Sequence, residues 1–378
     1  IEVDVLNFKN LLKHIKSQKI ELVIVGPEEP LVNGLVDFLI KHKVKVFGPN
    51  KYASRLEGSK AFMKKVCASK FIPTARFKIC NKIEDVNNFL KNCNFPIVVK
   101  ADGLAAGKGV TICNTRHEAE SSASQIFSGK FKSSKKVVLE EFLDGEEASY
   151  FLIVDKNNFK FFGSAQDHKK VYENDLGPNT GGMGAYSPAP IIDKSIEKKI
   201  LTKIVKPTLR ALRKEKQYYK GFLYVGLMIK DKEPFLIEYN VRMGDPECQT
   251  ILPKLNTDFG EIINSCCNGK LNEKKINWNN KKSLCVVLCS KGYPETYKKN
   301  VEIKNIDKIQ LNTDDHLFHA GTIKKDDVVL AVGGRVLNFV SLSDSFEKSR
   351  NRIHELLNNL NWSDGFFRKD IGYKVIKK

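Results

Sequence analysis

Residues 98–112 read Val-Val-Lys-Ala-Asp-Gly-Leu-Ala-Ala-Gly-Lys-Gly-Val-Thr-Ile. Three glycines, Gly103, Gly107 and Gly109, are interspersed with two lysines, Lys100 and Lys108. Glycine beside lysine points to phosphate, because bare backbone N–H groups and a cation suit an anion together. The spacing is not that of a P-loop, since Gly109 follows Lys108 where a serine or threonine belongs. A G-x-G-x-x-G fingerprint is absent too. Strand-like runs at 96–100 and 109–113 flank the glycines, so the stretch predicts a hairpin whose tip could close over a triphosphate. A plain surface hairpin with a solvated lysine is the competing reading.

Upstream, the pattern predicts a helix at 8–17, a strand at 21–25, a helix at 31–42 and a strand at 44–47. Strand–helix–strand with apolar strands implies a parallel sheet, whose ligands bind at the carboxyl ends of its strands. The turn Gly26-Pro27-Glu28 lies at such an end. A helix at 55–71, ended by Pro73, leads to an α+β unit with a strand at 74–80, a helix at 84–91, the hairpin, a helix at 118–128 and a strand at 136–139. Two antiparallel strands about the turn 155–158 follow, then an irregular loop at 166–190 and a helix at 194–215. A second hairpin pairs 222–229 with 235–241. The last unit, 282–378, has strands at 283–288, 328–330 and 335–340 and a helix at 345–358.

The strand 235–242, Phe-Leu-Ile-Glu-Tyr-Asn-Val-Arg, carries the strongest chemical signal. Alternation puts Glu238, Asn240 and Arg242 on one face and Ile237, Tyr239 and Val241 on the other. A carboxylate and an amide oxygen two residues apart suit Mg²⁺, which takes a few protein oxygens beside phosphate. An arginine one step further could grip a carboxylate or acyl phosphate bidentately. In 138–147, Val-Leu-Glu-Glu-Phe-Leu-Asp-Gly-Glu-Glu, backbone amides could read an adenine edge, although an acidic turn is often merely solvated. The loop 176–190 holds four glycines and three prolines with almost no charge, a composition that lets backbone approach a ligand and opens N–H groups as an anion nest.

The chain has 378 residues and a net charge of +19. Lysine greatly outnumbers arginine and is scattered, so a compositional bias explains the charge without a nucleic-acid partner; a positive field also suits phosphorylated small substrates. No apolar run reaches the length of a membrane span, and no signal peptide is visible. Nine cysteines lack metal or redox spacing, which predicts reduced thiols and a cytoplasmic setting.

Together these elements resemble the ATP-grasp superfamily, in which two α+β units clamp ATP. The strings VVKADGLAAGKGV, EEFLDGEEAS, QDHK, GPNTGGMGAYSPAP, IEYNVRMGDPE, FHAGT, GGRVL and FRKDIG resemble, in order and over essentially the whole chain, the phosphoribosylamine–glycine ligase family. The resemblance implies an α/β and α+β chain with an ATP-grasp fold, an N-terminal parallel-sheet domain shortened by one βαβ piece, and a small C-terminal α+β domain. Its expected divisions are 1–76 (N-terminal domain and linker helix), 77–145 (lid subdomain), 146–281 (large subdomain) and 282–378 (C-terminal domain).

It further implies an ATP-dependent ligation of glycine to 5-phosphoribosylamine through glycyl phosphate, with Mg²⁺ or Mn²⁺. Lys60, Lys100, Gly103, Gly107, Lys108 and Gly109 correspond to the phosphate contacts and lid. Glu140, with the backbone at Phe142 and Leu143, resembles the adenine hinge, and Glu147 the ribose contact, with Glu146 an alternative. Glu238 and Asn240 match the metal ligands. Gly26, Pro27, Glu28, Asp167, Asn179, Thr180, Gly181, Gly182, Met183, Gly184 and Arg242 match substrate contacts, and Arg242 and Lys100 the catalytic cations. No membrane or nucleic-acid partner is implied, and a monomer is favoured. The alternatives are an ATP-binding remnant with impaired ligation and another ATP-grasp carboxylate–amine ligase.

Overall fold

The computed structural model describes residues 3–105, 109–131 and 134–376. Two compact units divide the chain: Ile1–Phe162, Ile192–Met243 and Phe259–Lys275 form the first, and Gly163–Ile191, Gly244–Asp258 and Ile276–Lys378 the second. Among the described residues no helix is long and apolar enough to cross a membrane.

In the first unit, Val23–Ile24 and Val46–Phe47 pair in parallel, as the strand–helix–strand pattern requires. The helix expected at 31–42 is two, Glu28–Asn33 and Leu35–Lys41, because Gly34 at φ 94° closes one in the left-handed conformation and opens the next. The helix expected at 55–71 is also two. Arg55–Gly58 ends at Ser59, whose extended backbone and hydroxyl, accepting from Phe62 N, cap Lys60–Lys70.

A four-stranded antiparallel sheet follows, in the order Phe77–Cys80, Val137–Glu141, Ile97–Ala101, Val110–Cys113. Helices Ile83–Leu90 and Arg116–Phe127 bury Val86, Leu90, Ala119, Ala123 and Ile126 against Ile97, Val99, Ala101, Val137 and Leu139. The same alternation sends Lys100 and Glu140 to the opposite face. Lys100 is paired with Val138 and Glu140 with Val98, so the two charged residues are diagonal neighbours. A further antiparallel set joins Glu146–Asp155, Lys220–Lys230 and Glu233–Asn240. One face of it is covered by the helical run Lys194–Lys199, Ile200–Val205 and Lys206–Lys214, where Tyr150 Oη donates to Glu197 Oε1 at 2.7 Å and Tyr239 Oη bonds Thr208 Oγ1.

In the second unit, Gly184–Ser187, Lys282–Ser290, Arg335–Ser343 and Asp315–His319 lie in that order, all antiparallel, under the helix Phe346–Leu360. Residues 166–190 are not the irregular loop expected. Lys170–Tyr172 pairs with Leu176–Asn179, and Gly184–Ser187 pairs with both Lys282–Ser290 and the strand end at Gln166 and Asp167. Glycine and proline hide these strands from a pattern search, yet the glycine is required: a Cβ on Gly184 would lie 2.5 Å from Cys285 O. The strands Val301–Glu302, Thr322–Lys325 and Gly365–Phe366 also escape the sequence reading, being short or half-exposed.

His168 sits in this unit at 2% exposure, its Nε2 accepting from Gly372 N at 3.3 Å. Burial, then the nearby Arg368 cation, pushes its pKa down to about 4. Below the ordinary value of 6.5 the unfolded chain takes up a proton that the folded His168 refuses until about pH 4. Stability is therefore expected to fall as pH drops through that window and to level off below it. The full effect is roughly 3 kcal/mol from a shift of this size. Thermal midpoints measured from pH 7 to 4 should decline less steeply in His168→Gln than in wild type; parallel curves would refute this.

Candidate nucleotide and metal site

The glycine-rich hairpin is anchored where it leaves its first strand. Asp102 Oδ1 accepts from Ser59 Oγ at 3.0 Å and from Ala61 N at 3.1 Å, tying the hairpin to the N-terminus of Lys60–Lys70. A carboxylate there also meets the positive end of the helix dipole. Lys60 Nζ donates to Gly103 O at 3.2 Å, and Gly103 takes φ 94°, which favours glycine. Gly109 closes the hairpin by accepting from Ala101 N at 2.8 Å, and a Cβ on it would lie 2.6 Å from that of Ala105. Gly107 and Lys108 lie outside the described residues. Burial lowers the Lys60 pKa; Glu238 opposes the shift, Lys100 adds to it, and Asp102 and Glu140 oppose it. Lys60, Lys100, Glu140 and Glu238, far apart in sequence, thus share one electrostatic neighbourhood.

Glu140 is held between two buried lysines. Lys64 Nζ donates to its Oε2 at 2.8 Å, and Lys100 Nζ stands 2.8 Å from its Oε1. Lys64 is wholly buried and also donates to Thr74 Oγ1 at 2.7 Å. Burial alone would push the Glu140 carboxyl up, but Lys100 and Lys64 override it and hold it below the usual range. The sequence reading placed Glu140 at the adenine hinge. Its carboxylate oxygens are both engaged by lysines, which leaves the backbone beyond it, at exposed Phe142 and half-buried Leu143, as the part of the segment open to a base. Glu147 is half-buried and Glu146 exposed.

The acid–amide pair lies on the neighbouring antiparallel set. Ser149, Gly226 and Glu238 stand in one cross-strand row, and Glu147 opposite Met228 lies two residues along. Gly226 leaves room for the acid, since a Cβ on it would lie 3.1 Å from Glu238 Cγ. The expected alternation fails at Ile237. The register slips between Gly226 and Leu227, so Leu236 and Tyr239 are both buried while Ile237 is only half-buried. A bulge inserts one extra residue and so resets which face the following side chains use.

Asn240, oriented so that its amide is satisfied, donates to Glu57 Oε1 at 3.2 Å and to Tyr239 O at 3.1 Å, turning its carbonyl oxygen away from Glu57. Among the described residues no cluster of three or more His, Cys, Asp or Glu could hold a metal. The donors at hand are two hard oxygens on one strand, a set that fits a magnesium-like ion completing its shell with water and phosphate.

Arg242 continues past the strand. Its Nε donates to Glu28 Oε2 at 3.1 Å, one Nη to Met243 O at 3.0 Å, and the other Nη lies 2.9 Å from Glu57 Oε1. The structure thus brings Arg242 to the Gly26-Pro27-Glu28 turn. Glu57 was missed in the sequence. Burial pushes its pKa up to about 7, with Arg242 and the Val241 N–H pulling back and Glu28 and Glu238 adding to the rise.

In the second unit the 179–184 segment is tightly bonded. Thr180 N donates to Lys169 O, Gly181 N to Tyr293 Oη, Gly182 N to Thr180 Oγ1 and Met183 N to His168 O. These four N–H groups therefore do not form the open anion nest expected from the glycines. Met183 is buried in the core, Asp167 is half-buried, and the Asn179 side chain is exposed. Arg335, another residue with no assigned role in the sequence, donates to Gly181 O and Asp245 O at 2.8 Å each and to Asp245 Oδ2 at 2.7 Å, stapling this segment to the Gly244-Asp245 turn.

The fold is that of the ATP-grasp enzymes. Known proteins narrow this further. The chain matches the family models of phosphoribosylglycinamide synthetase in all three parts: the N domain over residues 1–57, the ATP-grasp domain over 58–248 and the C domain over 283–374. It is 42% identical to a phosphoribosylamine–glycine ligase of Brucella melitensis over 97% of this chain and 86% of that one. To the chloroplastic phosphoribosylamine–glycine ligase of Arabidopsis thaliana it is 41% identical, over 100% of this chain and 72% of that one. The crystal structure of the Thermotoga maritima phosphoribosylamine–glycine ligase superposes with a TM-score of 0.82 at 34% identity, covering 94% of this chain and 88% of that one. A biotin carboxylase from Campylobacter jejuni shares the fold, with a TM-score of 0.75 at 16% identity over 94% of this chain and 78% of that one. The chain belongs to the phosphoribosylglycinamide synthetase family.

Proposed function

We infer that this chain ligates glycine to 5-phosphoribosylamine at the expense of ATP, giving glycinamide ribonucleotide, ADP and phosphate in purine biosynthesis. The observation that carries the reading at residue level is the convergence of Lys60, Lys100, Glu140 and Glu238 on one neighbourhood, beside Arg242. Glycine's carboxylate is a poor electrophile until it takes the γ-phosphoryl group as glycyl phosphate. The amine of phosphoribosylamine then displaces phosphate from the acyl carbon. Lys60, Lys100 and the lid are assigned to the triphosphate, where they position it and exclude the water that would hydrolyse glycyl phosphate. The backbone at Phe142 and Leu143 is assigned to adenine and Glu147 to ribose. Glu238 and Asn240 are assigned to Mg²⁺ or Mn²⁺, which when bound offsets charge on the phosphates. Arg242 is assigned to the acyl phosphate oxygens. Glu28 and the 179–184 segment remain the proposed substrate elements of their respective units, the latter through the groups its internal bonds leave open.

The test is ADP release measured with each co-substrate left out in turn. Release that requires both glycine and phosphoribosylamine supports the reading; release indifferent to glycine overturns it. In the same assay Glu238→Gln should raise the Mg²⁺ concentration for half-maximal rate at least about tenfold, since a neutral amide replaces an anionic ligand. An unchanged Mg²⁺ curve would remove Glu238 from the metal.

A further inference from the structure

We propose that Glu57 is a positioning residue that sets Asn240 and Arg242 in register, so that the metal end and the anion end of the site are held by one carboxylate. This rests on the ligase reading above and deepens it. The strand Glu233–Asn240 stops at Asn240, and the N–H of Val241 lies beyond its ladder. Glu57 meets the chain there and grips three successive residues. Its Oε2 accepts from Val241 N at 2.8 Å, while its Oε1 accepts from the Asn240 amide at 3.2 Å and lies 2.9 Å from the Arg242 guanidinium.

Each contact has a separate consequence. The bond to the amide nitrogen fixes which way Asn240 presents its oxygen, the only atom of that side chain a hard cation can use. The ion pair holds the Arg242 fork on one side while Glu28 holds it on the other. The backbone bond fixes the peptide between them. Glu57 is itself rigidly carried. It lies on Arg55–Gly58, where Leu56 is 2% exposed and Gly58 packs so closely on Val32 that a Cβ would come within 2.9 Å. Lys60 follows three residues later, so one turn of chain delivers both the phosphate lysine and the residue that aims the metal ligand. An acid with both carboxylate oxygens engaged by site residues, and only 7% of its side chain exposed, is poorly placed to touch substrate directly. Its action runs through Asn240 and Arg242.

The experiment compares Glu57→Gln with wild type by calorimetric titration of a non-hydrolysable ATP analogue at several Mg²⁺ concentrations, beside steady-state ligation. The isosteric amide keeps one acceptor and turns a donor toward other donors. The Mg²⁺ needed for half-maximal analogue binding should rise roughly tenfold or more, the usual cost of losing a residue that orients a metal ligand. At saturating Mg²⁺ the analogue affinity should change less than about threefold, while kcat falls at least about tenfold. Added to Arg242→Lys, Glu57→Gln should lower kcat little further, because both remove one coupled arrangement. An unchanged Mg²⁺ curve in a folded variant, or additive losses with Arg242→Lys, overturns the proposal. If Glu57→Gln does not fold, Glu57→Asp takes its place; failure of both to fold would make Glu57 a structural residue and equally overturn it. A shifted Mg²⁺ curve in analogue binding supports the role of Glu57 even if wild type shows no glycine-dependent turnover, an outcome that sinks the ligase reading alone.

Discussion

Glu140→Ala should cost about 3–5 kcal/mol of stability, the range for removing one partner from a buried charge pair. Lys64 has no exposure and Lys100 has 6%, and Glu140 is the carboxylate that pairs with both. Without it two ammonium groups are left in a dry interior. Lys64 keeps its bond to Thr74 Oγ1 and its place over the Phe77 ring, and Lys100 loses its ion-pair partner. Lys64, whose pKa burial already lowers, can relieve the strain by losing its proton, which bounds the cost. A second variant separates stability from function. Lys64→Met with Glu140→Met replaces one of the two ion pairs by apolar volume and should recover part of the lost stability, that owed to Lys64. It should not recover nucleotide binding, because Lys100 would still lack the group that fixes it. Urea midpoints and ATP-analogue affinity measured on both variants check this. A Glu140→Ala loss below about 1 kcal/mol would mean that the triad is balanced by its own desolvation cost.

What the sequence disclosed and what it hid follow from how far each signal reaches. The helix at 8–17 and the glycine-rich hairpin were legible because their signal is local: helical periodicity in one, two alternating runs around glycines in the other. Glu238, Asn240 and Arg242 stand out in the sequence because three chemical groups recur at a period of two, along a strand and just past its end. The bulge at Ile237 was not, since an inserted residue changes the pairing without changing the residue types. Lys64 reads as one more lysine on a helix in a lysine-rich chain; what buries it is Glu140, 76 residues away. Glu57 meets Val241 from 184 residues off, and no local pattern marks an acid that acts at such a distance. Residues 166–190 reversed the error. Their glycines suggested open backbone, whereas that backbone is used in strand pairing and in bonds to Tyr293 and Arg335.

Arg242→Lys should lower kcat about a hundredfold or more while leaving the fold intact, since removing one donor that meets developing charge costs about 10²–10³ in rate. The guanidinium is aimed before any substrate arrives, its Nε toward Glu28, one Nη toward Glu57 and the other toward Met243 O. Alanine would be the poorer test. It would leave Glu57 buried beside Glu28 and Glu238 with no cation against it, and loss of stability would be mistaken for loss of catalysis. Lysine keeps the charge that Glu57 requires but offers one compact head in place of a planar fork. It can meet one anion oxygen where arginine spans two, and it cannot hold Glu28 and Glu57 in the same geometry. If Arg242 binds chiefly the acyl phosphate and its tetrahedral successor, kcat and kcat/KM for glycine should fall together, with KM for glycine nearly unchanged. If instead it holds the free glycine carboxylate, KM for glycine should rise and kcat should change little. Steady-state kinetics at saturating ATP and Mg²⁺ separate these outcomes. The second pattern would move Arg242 from the transition state to ground-state binding. Wild-type values for both constants would show that the arginine serves only to neutralise Glu28 and Glu57.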